Sequence, residues 1–405
     1  MAKIKRNLLV SLFSITLLSL LVLVLLFSSP LTLRHHYYHH FFSPSNLAIP
    51  FPPLPKIAYF ICGTNNDGPR ITRLLLAIYH PRNYYLLHLD HRASKEQREQ
   101  LASSVQSFEA FVAADNVNVI EKANWVNGEG STPLALVLHG AAILLRCNKD
   151  WDWFVNLDAS DYPLLPQDDF LHILSFMPRD FNFIEHTSNV SWKEYQRILE
   201  IVVDPSLYLM SKGRMFMAMK RRKPPNAYRF FTGSSHVILS RKLVEFSILG
   251  WDNLPRTLLL FFSNTKVSHR GYFQTLACNS KEFSNTVVNS NLRFIEWDDH
   301  RLKEPRNLNL SDLKNMMWSG AAFAGKFPPN DPVLDIIDLH VLHRSKNMIS
   351  PGGWCLDELG RGTDSCQQWG DPNILRPGPA AMKFEKLLMR LMVNTTLQSN
   401  ICNRH

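Results

Sequence analysis

Short apolar runs alternate with amphipathic segments along residues 56–163. The runs KIAYFICG, NYYLLHLD, NVNVIE and DWFVNLDASDYPL are short and apolar and end at glycine or in polar sequence, which predicts buried β-strands. The intervening segments PRITRLLLAIYH, SKEQREQLASSVQSF and TPLALVLHGAAILLRC are predicted helices, with Ser94 as an N-cap and Pro133 in a first turn. Strands that alternate with helices predict an α/β fold with a mostly parallel central sheet and helices on both faces.

Polar residues follow three of these predicted strands. Gly63 ends the first strand, Asp90 and Arg92 follow the second, and Asp158 and Asp161 follow the fourth. Ligands bind beyond the carboxyl ends of the strands in open α/β sheets, so these residues mark a candidate site. Neither G-x-G-x-x-G nor G-x-x-x-x-G-K-[ST] occurs in the chain, so the dinucleotide and triphosphate fingerprints are absent.

Two further patterns allow more than one interpretation. Asp150-Trp151-Asp152 is a literal D-x-D sequence, but it precedes its strand rather than ending it, which does not favour a metal site. Residues 220–223 are four consecutive basic residues. They form either a solvated loop or a wall for an anionic ligand.

The N-terminal region has a different composition. Leu8–Phe27 is a run of 20 uncharged residues, long enough to span a bilayer, and basic residues precede it. We expect a cytosolic tail at 1–7, a transmembrane signal anchor at 8–27, a stem at 28–55 and a lumenal domain at 56–405. A cleaved signal peptide is the alternative, although its apolar region would be shorter.

The net charge of +9 is unevenly distributed along the chain. Residues 1–56 contain five basic and no acidic residues, so the other 349 residues carry only +4. A nucleic-acid-binding protein concentrates basic residues on its folded domain, so nucleic acid is not an expected partner.

A lumenal domain is exposed to glycosylation and to oxidation. Sequons occur at Asn189, Asn309 and Asn394, which we predict as glycosylation sites. Six cysteines permit up to three disulfides, and Cys355 and Cys366 are close enough in a loop-like stretch to be the predicted pair. No C-x-x-C sequence is present, so a zinc site is not expected.

Seven blocks, in order, carry a resemblance to a known family. They are YHPRNYYLLHLD, VNLDASDYPLLPQDDFL, RRKPPNAYRFFTGSS, LGWDNLPRTLLLFFSNT, GYFQTLACNSKEFSNTVVNSNLRFIEWDD, FAGKFPPNDPVLDIID and PGGWC…CQQWGDPNILRPGPAAMKFEKLL. The chain resembles plant members of the core-2/I-branching family of glycosyltransferases, above all the β-glucuronosyltransferases that act on type II arabinogalactan. The resemblance implies a GT-A-like fold, a type II Golgi membrane topology, an inverting mechanism and no requirement for a divalent metal or other cofactor.

The resemblance also assigns roles to individual residues. Without a metal, the diphosphate leaving group needs fixed cations, which the family draws from the last third of the domain. Asp161 lies in the loop at the centre of the family's site. The residues expected to contact the donor are Gly63, Asp90, Arg92, Trp297, Asp298, Arg301, Lys303 and Lys326.

One position departs from the family pattern. An inverting transferase needs a base to remove the acceptor hydroxyl proton, and in the family a glutamate stands just before an aromatic pair. Here the matching residue is Arg270, which cannot act as a base. The adjacent His269 is one substitute, and Asp161 is another if Arg270 binds an anionic group; a chain that has lost transfer activity and keeps a scaffold or binding role is the third explanation.

The expected function is therefore that of a UDP-sugar-dependent hexosyltransferase of the Golgi membrane. It would transfer glucuronic acid from UDP-glucuronate to the β-galactan side chains of arabinogalactan proteins in the cell wall, with other Golgi transferases as candidate partners. The alternatives are UDP-xylose or UDP-N-acetylglucosamine as donor, or a catalytically impaired homologue.

Overall fold

The computed structural model describes residues 52–209, 213–223, 225–297, 305–356, 366, 368–397 and 402. Pro53–His405 cluster as one unit. Within the described ranges, no helix combines the length and the apolar content needed to cross a bilayer. The predicted cytosolic tail, transmembrane helix and nearly all of the stem lie outside those ranges and stay predictions.

Strands and helices alternate through the first four strands, as the apolar pattern predicts. Among the described residues the strands are β1 (Ile57–Gly63), β2 (Tyr84–Leu89), β3 (Val117–Val119), β4 (Trp153–Asp158), β5 (Tyr162–Pro163), β6 (Asn182–Phe183), β7 (His186–Thr187), β8 (Val202–Val203), β9 (Phe216–Met217), β10 (Thr232–Gly233), β11 (Ile238–Ser240), β12 (Val287–Val288), β13 (Arg293–Phe294) and β14 (Phe323–Ala324). The helices are α1 (Gly68–Ile78), α2 (Lys95–Gln106), α3 (Glu109–Ala114), α4 (Thr132–Cys147), α5 (Gln167–Ser175), α6 (Trp192–Leu199), α7 (Pro205–Leu209), α8 (Arg241–Leu249), α9 (Asn253–Phe262), α10 (Tyr272–Asn279), α11 (Leu313–Ser319), α12 (Pro332–His340) and α13 (Pro379–Leu397).

The central sheet has seven strands in the order β12-β6-β11-β4-β1-β2-β3. β1 lies between β2 and β4 and is parallel to both, with Cys62 opposite His88 on one side and Asp158 on the other. β11 is inserted antiparallel between β4 and β6. The prediction of an α/β fold with a mostly parallel central sheet is confirmed.

Apolar cores lie on both faces of this sheet. Ile57, Tyr59 and Ile61 of β1 belong to one core, together with apolar residues of α1, α5 and α12. Ala58 and Phe60 belong to a second core that includes residues of α4, α8 and α10. Because successive side chains of a strand point to opposite faces, burial on both sides makes β1 a continuous apolar run in the sequence.

The start of α2 illustrates how local sequence sets an element boundary. The Ser94 hydroxyl accepts a hydrogen bond from the Gln97 amide at 3.3 Å, and Gln97 Oε1 accepts one from the Ser94 amide at 3.2 Å. This reciprocal capping box satisfies backbone donors that have no partner inside the helix. The prediction of Ser94 as an N-cap is confirmed.

A smaller three-stranded sheet, in the order β13-β14-β5, borders the central one. β13 is parallel to β14, with Arg293 opposite Phe323, and β14 is antiparallel to β5, with Ala324 opposite Tyr162. This pairing gathers three chain segments that are distant in sequence: the turn after β4, the start of β13, and Gly325-Lys326.

Two disulfides lie in the described part of the chain. Cys355 and Cys366 are bonded to each other, the pair that their spacing predicts. Cys278 of α10 is bonded to Cys402, a partner 124 residues away that spacing does not suggest. Cys62 and Cys147 are free thiols.

Candidate active site

The carboxyl edge of the central sheet carries a row of polar residues. Glu185 follows β6, His236 precedes the antiparallel β11, Asp158 ends β4, Gly63 ends β1 and Asp90 follows β2. Because β11 runs opposite to its neighbours, its first residues meet the last residues of β4 and β6. The sheet order therefore sets His236 between Glu185 on one side and Asp158 on the other.

His236 is held by the carboxylates that follow β4. Its Nε2 lies 2.9 Å from Asp158 Oδ2 and 3.6 Å from Asp161 Oδ2. Desolvation alone would raise the pKa of Asp158, but the hydrogen bond from His236 and the nearby charges of His236 and Arg293 hold that pKa below its ordinary value. Asp158 is therefore ionised at neutral pH, and Nε2 is the ring nitrogen that carries a proton.

Asp161 is buried and already paired. Arg293 Nη1 lies 2.6 Å from Asp161 Oδ2, and both side chains are about 95% buried or more, with exposed fractions of 3% and 5%. The Asp158 amide donates to Asp161 Oδ2 at 2.7 Å. A Cβ added to Gly325 would overlap Asp161 Oδ1, so the turn is also closely packed from β14. The Asp161 carboxylate thus fixes the turn that presents Asp158.

Arg270 lies in a short 3₁₀ turn that ends just before α10. Its Nε donates to the Gly233 carbonyl at 3.2 Å, and its own carbonyl accepts from the Thr232 hydroxyl at 3.3 Å. Gly233 packs so tightly on the Glu185 carbonyl that no Cβ fits between them. The close contact between Gly233 of β10 and the Glu185 backbone thus brings Arg270 near Glu185, and the charge of His236 also acts there.

Glu185 is an exposed carboxylate on which the charge of Arg270 acts. Its Oε2 accepts a hydrogen bond from Asn291 Nδ2 at 2.9 Å. Desolvation raises its pKa, while the charges of Arg270 and His236 act in the opposite direction. The guanidinium of Arg270 thus has a carboxylate close by, although the two are not hydrogen-bonded.

His269, the first candidate base, is half-buried in the same 3₁₀ turn as Arg270. Desolvation, followed by the charge of Arg270, lowers the pKa of its ring to about 4. Its Nδ1 is buried without a hydrogen-bond partner. The imidazole is accordingly neutral at pH 7.

The predicted donor residues on β1 and β2 lie side by side. The Asp90 amide donates to the Gly63 carbonyl at 3.0 Å, which joins the two strand ends. Asp90 is 1% exposed, and desolvation raises its pKa. Arg92 is half-exposed, 3.7 Å from Asp90 and bonded to the Val126 carbonyl. Beside them the His91 ring stacks on Trp125, with centroids 4.6 Å apart, which makes a flat surface of the kind that a base can stack on.

Lys326 is exposed, two residues after the end of β14. The amide of the next residue, Phe327, donates to the Ser160 carbonyl at 2.9 Å, which brings this segment next to the Asp161 turn. Trp297 is half-buried three residues after β13. Asp298, Arg301 and Lys303 lie outside the described residues, so their donor-binding role stays a prediction.

One group in the described residues has the composition of a divalent-cation site. Asp158, Asp161 and His236 offer ligand atoms that all lie within 4.8 Å of one another. Arg293 is bound to the most buried of these carboxylates, and a fixed positive charge there opposes a cation. A second group, His186 with Cys278 and Cys402, is not a metal site because its two sulfurs are joined in the disulfide.

The D-x-D sequence lies at the opposite edge of the sheet. Asp150 pairs with the Lys56 ammonium and accepts from the Tyr84 hydroxyl, and Asp152 accepts from the Lys56 amide at 2.9 Å. Both carboxylates therefore anchor the start of the domain, far from the carboxyl ends of the strands.

The basic run and the sequons have mixed surroundings. Arg222 folds back to donate to two backbone carbonyls and stacks on Phe261, whereas Arg221 and Lys223 are exposed. Asn189 and Asn309 are exposed, although Asn309 also caps a 3₁₀ turn. Asn394 lies in α13. Their glycosylation stays a prediction.

Sequence reasoning missed His236, Glu185 and Arg293. Each lies in or near a strand of only two or three residues, too short for a periodic pattern. The position of His236 immediately before the run VILS was a usable signal, but only with the knowledge that this strand pairs antiparallel with β4.

Comparison with known proteins adds independent findings. The sequence model of the Core-2/I-Branching enzyme family matches residues 57–317 of this chain. Beta-glucuronosyltransferase GlcAT14A of Arabidopsis thaliana is 48% identical over 87% of this chain and 78% of its own. GlcAT14B of the same plant is 46% identical over 86% of this chain and 80% of its own. A xylosyltransferase of Ciona intestinalis is 28% identical over 76% of this chain and 34% of its own.

Proposed function

Because the chain belongs to the Core-2/I-branching enzyme family and is a glycosyltransferase, we propose that it transfers glucuronic acid from UDP-glucuronate to galactan side chains of arabinogalactan proteins. The observation that carries this proposal is the 48% identity to a β-glucuronosyltransferase over 87% of the chain. The xylosyltransferase similarity is lower and covers a third of that relative, so UDP-xylose is the weaker choice of donor.

The proposed donor site spans the ends of β1, β2 and β4. The stacked His91 and Trp125 suit a uracil ring, and Arg92 and Lys326 bring positive charge to the same edge. A departing diphosphate is stabilised by cations that are already fixed in place. We further propose that transfer needs no divalent metal, since Asp161 already has Arg293 as its counter-charge.

The acceptor is proposed to enter from the side of Glu185 and Arg270. An acceptor hydroxyl approaching from there attacks the anomeric carbon on the face opposite the nucleotide, which inverts its configuration. The guanidinium of Arg270 would suit an anionic group, such as the carboxylate of glucuronate.

Arg270 also favours a second candidate function. A chain with arginine at the family's base position and without a substitute base would bind UDP-sugar but transfer slowly, and would serve as a non-catalytic partner of active transferases. Loss of a general base costs about 10²–10⁴ in rate, so such a chain is distinguishable by its rate and not by its fold.

The proposed location is the Golgi membrane, with the catalytic domain in the lumen. The uncharged run 8–27 and the basic residues before it support a single-pass type II topology. Protease protection of the folded domain in sealed Golgi vesicles tests this topology, and digestion without detergent would contradict it.

A transfer assay with the full-length chain in detergent tests the proposed function. UDP-glucuronate, UDP-xylose and UDP-N-acetylglucosamine are each offered with β-galactan, in EDTA and in Mn²⁺. We expect transfer from UDP-glucuronate, a β-linked product and equal rates with and without metal. Transfer only from another donor would contradict the donor, and a rate abolished by EDTA would contradict metal independence.

A further inference from the structure

We infer that His236, oriented by Asp158, is the group that accepts the proton of the acceptor hydroxyl. The inference rests on the proposed function, and it deepens that function by supplying the base that Arg270 cannot provide. It is carried by the position of His236, by its hydrogen bond, and by the state of each competing group.

The position of His236 fits this role. His236 stands two residues before β11, which lies between β4, at the proposed donor site, and β6, toward the proposed acceptor entry. In an inverting reaction the base contacts the oxygen that attacks the anomeric carbon, so it must stand where donor and acceptor meet. His236 has a side chain that is 17% exposed, partly open to the cleft and partly held by the protein.

The hydrogen bond to Asp158 sets the tautomer. Asp158 Oδ2 is an acceptor 2.9 Å from Nε2, so the proton of the neutral ring resides on Nε2. The lone pair is then on Nδ1, which is the atom able to take up a proton. The same carboxylate stabilises the imidazolium that forms, which is how a histidine and an aspartate act together in proton transfer.

The competing groups are each engaged or unsuitable. Arg270 is permanently charged, and His269 has a buried Nδ1 and a ring whose pKa is lowered to about 4. Asp161 is paired with Arg293 and with the Asp158 amide. Glu185 is bonded to Asn291 and lies one strand farther from the donor side.

Several charged or titratable groups surround His236. Asp158 and Asp161 come from the end of β4 and the turn after it, and Glu185 from the segment between β6 and β7. His269 and Arg270 come from the 3₁₀ turn, and Arg293 from β13. Three carboxylates and two guanidinium groups therefore surround His236, so both positive and negative charges act on its ring.

The step is balanced in atoms and electrons. The acceptor oxygen forms its bond to the anomeric carbon while the bond from that carbon to the diphosphate oxygen breaks. The hydroxyl proton passes to Nδ1 of His236, and the nucleoside diphosphate leaves with the electron pair. The imidazolium returns its proton to water before the next turnover.

The test measures kcat/KM against pH for the full-length chain and for His236→Gln, in which the amide can still donate to Asp158 but cannot accept a proton. The matched control is His340→Gln, at the exposed C-terminal end of α12. Glu185→Gln and the double variant His236→Gln/Arg270→Glu complete the set. Melting temperatures with and without UDP are recorded for each protein.

We expect His236→Gln to lose about 100-fold or more in kcat/KM, while the control and the UDP-induced rise in melting temperature are unchanged. The parent should lose activity at acidic pH, because the group that accepts the proton must be unprotonated. The double variant should recover at least tenfold, with this limb shifted to about pH 4–5, because a carboxylate then stands at the family's base position.

Three outcomes would overturn the inference. If kcat/KM of His236→Gln stays within about threefold of an active parent, His236 is not the base, and the proposed function is unaffected. A loss confined to Glu185→Gln would assign the proton to Glu185. A parent that binds UDP yet is silent, when the double variant with Arg270→Glu is active, would contradict both the base and the proposed transfer.

Discussion

Replacing Asp161 by asparagine tests the assignment of this carboxylate as a structural partner of Arg293. Asp161→Asn keeps the size of the side chain and an oxygen for the Asp158 amide, but it removes the charge that faces Arg293 across 2.6 Å. The guanidinium would remain buried, with the Asn156 carbonyl as its other close acceptor.

The size of the effect follows from burial. Removing one partner of a buried ion pair costs about 3–5 kcal/mol, because the remaining charge stays desolvated without compensation. A unit of roughly 350 residues has an unfolding entropy of about 0.7 kcal/mol/K, so this loss lowers the melting temperature by about 4–7 °C. Replacing both partners, as in Asp161→Asn/Arg293→Met, should cost less than the single change, because no unpaired charge is left.

Differential scanning calorimetry without nucleotide measures these shifts. Asp335→Asn is the control, because Asp335 also contacts a buried arginine, Arg73, but is itself 58% exposed, and Arg73 keeps Asp338. That control should shift the melting temperature by about 1 °C or less. An Asp161→Asn protein as stable as the parent, or a double variant less stable than the single one, would refute the reasoning.

Three further changes probe other parts of the structure. Gly233→Ala should lower both the melting temperature and the transfer rate, because the added Cβ would overlap the Glu185 carbonyl. Calorimetry and the transfer assay measure the two effects, and a variant that behaves like the parent would contradict the close contact. Lys326→Met should lose at least tenfold in kcat/KM while Lys326→Arg keeps most of it, if a cation there stabilises the leaving diphosphate; equal activity of both would speak against that role. Ser94→Ala should cost about 1 kcal/mol, read as a melting-temperature drop of about 1–2 °C, because the capping box is lost.

The long elements of the first half were predictable because their signals are local. β1, β2 and β4 are six or seven residues of nearly continuous apolar sequence, and α4 repeats apolar residues over 16 positions. The second half is built from strands of two or three residues, such as β6 and β13, and a period cannot be recognised over so short a span. Such strands form because tertiary packing holds them and not because their sequence favours them.

The candidate site divides in the same way. Asp90 and Asp158 were identifiable because they end long parallel strands, whose carboxyl ends share one edge. His236 and Arg293 reach that edge through the antiparallel β11 and the small sheet of β13, so their place depends on pairings between distant segments. The Cys278–Cys402 bond, whose ends are 124 positions apart, was unpredictable for the same reason.

This disulfide has a consequence for biosynthesis. The bond anchors α10, the helix that begins immediately after the Arg270 turn, yet ribosomes must add 124 residues after Cys278 before its partner thiol exists. Maturation of the region around Arg270 is thus timed by late oxidation, and trapping newly made chains with a thiol-alkylating reagent should capture Cys278 reduced until residue 402 has been translated.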